Sequence, residues 1–95
     1  MTLAELEKLS LHDATLESVE VLWEEARCRV FLKLAAGRYL LEFRGVTRVE
    51  IPREAPWGRS ASVNAVSVHG VVAAIQMQSG DTIEVSANEA EFSAI

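Results

Sequence analysis

The stretch VEVLWEEARCRVFLKLAAGRYLLEF, residues 19–43, decides the fold. Apolar residues recur at every second position: Val19, Val21 and Trp23, then Cys28, Val30, Leu32 and Leu34, then Tyr39, Leu41 and Phe43. A period of two places alternate side chains on opposite faces of an extended strand, so each run reads as a half-buried β-strand. With Glu25–Ala26 and Ala36–Gly37 as tight turns, the expected pairs are Trp23 with Cys28, Val21 with Val30 and Val19 with Leu32. The second turn then pairs Leu34 with Tyr39, Leu32 with Leu41 and Val30 with Phe43. All these side chains share one face, which predicts a three-stranded meander over about 17–24, 27–35 and 38–44.

The opposite face of the meander carries Glu20, Glu24, Arg27, Arg29, Lys33, Arg38, Glu42 and Arg44. These residues bear on an unusual segregation of charge, which fits either internal pairing between segments or a basic surface for a partner. Residues 1–25 are net −6 (one Lys against seven acids), 26–59 net +5 (eight basic against three acidic) and 60–95 net −4 (four acids alone). Cross-strand pairing accounts for the pattern without a polyanionic partner. Leu22, Phe31 and Leu40 share this polar face, which calls for cover, by the leucine stripe described next or by a second copy in a homodimer.

Outward from the meander, Thr2 and Glu5 have capping-box spacing and Leu3, Leu6 and Leu9 recur every third residue, giving one short N-terminal helix or turn. Gly45 interrupts the third strand before a further alternating run, 46–51. Residues 52–61, PREAPWGRSA, hold both prolines and form the longest loop. Strands follow over 62–68, with a bulge near Asn64, and 70–78. Ile75 and Met77 share a face with Ile83 and Val85 only across an odd loop, Ser79–Gly80–Asp81, with Gly80 at positive φ. Strand 82–87 closes the sheet, and the acidic tail 88–95 has Phe92 as its anchor. The expected fold is a single mainly β domain over 1–95: an antiparallel six- to seven-stranded sandwich, or a strongly curved, partly closed sheet, with one short N-terminal helix.

Ninety-five residues, 49% hydrophobic and 24% charged, suit one modest core and leave no room for a separate cofactor-binding half. A formal charge of −5 opposes general nucleic-acid affinity. One cysteine excludes a disulfide framework, and the acidic start and lack of a long apolar run predict a cytoplasmic protein without a membrane partner. No cofactor or metal is expected. His12 and Asp13 resemble half of a nucleophilic triad with Ser60 or Ser62, or, with His69, part of a metal site. Adjacent side chains at a strand entrance point apart, however, and no G-x-S-x-G elbow is present, so the expectation is a protein that is not an enzyme. Cys28 reads as a core residue.

The strongest candidate is residues 55–64, APWGRSASVN. Trp57 offers a large amphipathic surface, Arg59 a fork of donors for a carboxylate, and Ser60, Ser62 and Asn64 offer hydrogen bonds. Together with His12 and Asp13 these residues make the expected binding set. The partner would be another protein; the alternative is a small polar ligand held in a pocket under the 52–61 loop. Trp57 as a plug in the core competes with both.

The segments LHDATLESVEVLW (11–23), IPREAPWGRSASVN (51–64) and QMQSGDTIEV (76–85) together resemble small uncharacterised bacterial domains with an LHDA start and a PWG-x-S-x-S-x-N loop. The His-Asp-Ala entrance is also distantly similar to immunity proteins of polymorphic toxins, over about the first third of the chain. That second resemblance implies occlusion of a toxin, and neither brings a catalytic residue.

Overall fold

The computed structural model describes residues 1–54 and 61–95; Trp57, Arg59 and Ser60 of the expected loop site lie outside the described residues, and its Ser62 and Asn64 lie within them. A 3₁₀ helix, Leu3–Lys8, precedes eight strands: β1 (Thr15–Leu22), β2 (Arg27–Leu34), β3 (Gly37–Arg44), β4 (Arg48–Glu50), β5 (Val63–His69), β6 (Val72–Met77), β7 (Thr82–Ser86) and β8 (Glu89–Ala94). They form two four-stranded antiparallel sheets, ordered β1-β2-β3-β8 and β4-β7-β6-β5. The expected antiparallel sandwich is therefore the fold, with eight strands where six or seven were expected. The described strands do not close into a barrel.

The additional strand is the acidic tail, which pairs along β3 with Phe92 opposite Leu41 and Ala90 opposite Phe43. Only Ala90, Phe92 and Ala94 alternate there, too little apolar surface to announce a strand in sequence. Phe92 also stacks on Tyr39, with ring centroids 5.0 Å apart and planes 3° from parallel.

Three hairpins keep their expected faces and shift their expected register by two residues. Val21 pairs with Cys28 and Val19 with Val30, because a four-residue turn, 23–26, replaces the two-residue one. A two-residue hairpin loop requires positive φ at its centre, which Glu-Ala does not favour; here the positive φ, 53°, falls on Ala26 alone. Leu32 likewise pairs with Tyr39 and Val30 with Leu41. Ile75 pairs with Ile83, and Gly80 takes its expected positive φ, 105°. The expected bulge at Asn64 is present between Val63 and Ala65.

The 46–51 run forms a short strand in the second sheet. Gly45, at φ 68°, turns the chain out of β3, and Asn88 turns it back from β7 to β8 at the same place, its N–H donating to Arg44 O at 3.0 Å. β1 starts against β5, where Thr15 bridges Ser62, and ends beside the segment containing β4. It thus reaches from one edge strand of the second sheet towards the other.

Between the layers lie Cys28, Val30, Leu32, Leu41 and Phe43 from the first sheet and Val63, Ala73, Ile75, Ile83 and Val85 from the second, all buried. Leu3 and Leu6 join this core, and the helix packs on β5 and β8. Its Glu7 accepts a hydrogen bond from Val68 N–H at 3.2 Å, occupying part of the free edge of β5. The leucine stripe therefore does not cover Phe31 and Leu40, which oppose one another on the outer face of the first sheet. No helix among the described residues is long and apolar enough to cross a membrane.

Candidate functional site

The start of β1 and the start of β5 meet at one corner of the sandwich. Asp13 N–H donates to Val63 O, Val63 N–H to Ala14 O and Leu16 N–H to Ala61 O, each at 2.8 Å. This short ladder carries the chain through Asp13 at φ 67°, a left-handed conformation that costs free energy outside glycine and that aspartate tolerates better than most. The bulge opposite β6 turns Asn64 outward. Its side-chain N–H donates to Gln76 Oε1 at 3.0 Å, while its carbonyl faces His12 Nδ1 at 2.8 Å. A carbonyl can only accept, so Nδ1 carries the proton.

Gln78 completes the corner. Its side-chain amide donates to Asp13 Oδ1 and to Val63 O, and its backbone N–H donates to Ser62 O at 2.8 Å. His12, Asp13, Ser62 and Asn64, separated by some fifty residues in sequence, are thus neighbours. Gln76 and Gln78 were missed. Their signal was available, since they alternate with the buried Ile75 and Met77 and so share the outward face of the strand expected over 70–78.

The wiring of the His–Asp pair differs from that of a triad. In a triad the carboxylate holds the Nδ1 proton and Nε2 faces the nucleophile. Here Nδ1 is committed to a backbone carbonyl, and Asp13 Oδ1 stands 3.6 Å from Nε2. His69 lies at the other end of β5, roughly 17 Å along the strand from Asn64, so it does not join His12 and Asp13. Among the described residues, no three His, Cys, Asp or Glu side chains are grouped to hold a metal ion. Cys28 is buried between the sheets, and burial pushes its thiol up to about 11.

Residues on either side of 55–60 are anchored at this same end of the molecule. Glu54 N–H donates to Asp81 Oδ1 at 3.0 Å, in the β6–β7 turn, and Ala61 holds the start of β1. Whether Trp57 is plug or anchor falls outside the described residues.

The basic block faces the other way, on the outer surface of the first sheet. Glu42, only 7% exposed, receives Arg29 Nε at 2.8 Å on one oxygen and Arg44 Nε at 3.0 Å on the other, with Arg27 at 3.6 Å. The Arg29 hydrogen bond foremost holds its carboxyl below the usual range, against the opposing effect of burial. Arg29 also meets Glu20, Arg44 meets Glu91 and Arg38 meets Glu17. Cross-strand pairing thus occupies these arginines, with Glu20 directly opposite Arg29 and Leu22 opposite Arg27.

Trp23 departs furthest from expectation. Assigned to the buried face, it stands 88% exposed in the β1–β2 turn. The two-residue register shift carries it off the end of β1. It borders a groove of about 560 Å³ between the end of β1 and the 46–51 segment. Of the groove's lining only Ile51 adjoins the 52–61 loop, so this is a different place from the pocket expected under that loop. No protein-family model matches this chain, and no curated protein matches it.

Proposed function

We propose that this protein is a non-enzymatic protein-interaction module whose contact surface is the corner formed by His12, Asp13, Ser62 and Asn64. The observation that carries the reading is their convergence: a strand entrance and a bulged strand from distant parts of the chain present a histidine, an aspartate and an asparagine on one exposed corner. Exposed side chains held by backbone hydrogen bonds give a partner fixed donors and acceptors at low ordering cost. Asp13 is kept there in a costly backbone conformation. Occlusion of a partner's surface is the mechanism, and the similarity of the His-Asp-Ala entrance to toxin immunity proteins suggests a toxin as that partner.

The test compares the unaltered protein with a variant carrying His12→Ala and Asp13→Gly in affinity capture from the native host's lysate. Glycine accepts the φ of 67°, so the variant is expected to keep its fold, which its thermal transition checks. The expected result is a protein retained by the unaltered chain and lost from the variant. Equal retention by both, or retention of no protein, overturns the reading.

A further inference from the structure

The geometry points to a second binding site, unrelated to the corner: the groove between β1 and the 46–51 segment takes an amphipathic monocarboxylate, an apolar chain or ring system ending in one carboxylate. Its volume, about 560 Å³, is that of a small-molecule site. Its walls are apolar and unusually wet. Trp23 is 88% exposed, and Val21 and Ile51 are each 46% exposed although both occupy inward-facing parities. Val49 continues this surface toward the core. Such a contiguous apolar patch at the open end of a small sandwich marks a place where something binds.

The charge of the lining selects the occupant. Arg27 and Arg48 line the groove, and no acidic residue does so among the described residues. Each guanidinium carries more donors than its one carboxylate partner engages. The two oxygens of Glu42 are already bonded by Arg29 and Arg44, so Arg27, third in line at 3.6 Å, keeps donors for another carboxylate. Arg48 pairs with Glu50 on its own strand, in an exposed contact of the kind that contributes little. A neutral apolar ligand would engage neither cation, and a hydrophilic anion would leave the indole and the valines wet. A ligand with an apolar body and one carboxylate satisfies both halves of the site.

Decanoate is the probe and decan-1-ol its neutral counterpart, each titrated below its aggregation limit by calorimetry. The unaltered chain is expected to bind one decanoate, and decan-1-ol about ten-fold more weakly, the loss that follows from removing a charge-assisted hydrogen bond. Arg27→Gln with Arg48→Gln is expected to weaken decanoate by a similar factor and leave decan-1-ol unchanged. Trp23→Ala should weaken both ligands while leaving the thermal midpoint in place, because the indole contributes almost nothing to the core. No saturable binding of decanoate to the unaltered chain overturns the proposal. So does equal affinity for the two ligands, or decanoate binding indifferent to the arginine and tryptophan changes. None of these outcomes bears on the His12–Asn64 corner.

Discussion

Glu42 is the residue on which the outer face of the first sheet is organised, because three arginines from two strands converge on it. Its folded-state carboxyl is held below the ordinary range, chiefly by Arg29, so it contributes stability above the unfolded-chain value, about 4.3. That contribution is lost as pH falls from there through the lower folded value. Glu42→Gln is expected to cost about 1 kcal/mol at pH 7, the solvent-screened end of the range for charged hydrogen bonds. Urea unfolding at pH 7 and pH 3 checks this: the gap between variant and parent should narrow at the lower pH. A gap that is the same at both would show that the charge of Glu42 contributes nothing. This hub was legible as a set of opposite charges on one face; that Glu42 would be its centre depended on the register.

At the scale of the element, Gly45 and Asn88 matter most, since both crossings between the sheets pass there. A Cβ on Gly45 would lie 2.4 Å from Asn88 Nδ2 and 2.9 Å from its Cγ, and the φ of 68° is unfavourable for any side chain. Gly45→Ala is expected to cost about 1–3 kcal/mol, from the left-handed conformation and the overlap together. Adding Asn88→Ala should recover the overlap and leave the conformational part. Chemical denaturation of both variants separates them, and equal stabilities would exclude the Asn88 contact as a cause. The hairpins carry a related lesson. Alternation specified the inward face of β2, β3, β6 and β7, yet each of three expected pairings was displaced by two residues. A shift of two leaves every side chain on its face, so the hydrophobic pattern is blind to it and turn geometry decides. For Trp23 the difference was total, because two residues separate the last pair of β1 from the middle of a turn.

For the molecule as a whole, the last strand is the test of cooperativity. β8 lies along β3, places Ala90 and Phe92 against the core and meets the N-terminus, where Thr2 bridges Glu89 and Ala90 N–H donates to Met1 O. Removing residues 89–95 bares the long edge of β3 and uncovers Phe43 and Leu41. The shortened chain is expected to self-associate or to lose its cooperative transition, as sedimentation and thermal unfolding would report; a monomer with the parent's midpoint would show that β8 is dispensable. The sequence by itself determined the β class, the inward faces of the meander and the last hairpin, the bulge at Asn64 and the spacing-three helix, because each rests on periodicity or on turn chemistry within a few residues. The tertiary structure alone decided that the tail is a strand, that His12 and Asp13 meet Asn64 and Gln78, and that Trp23 faces water beside two arginines. These are contacts between segments far apart in the chain, and they follow from how two packed sheets exhaust one another's apolar surface, a balance that local patterns do not contain.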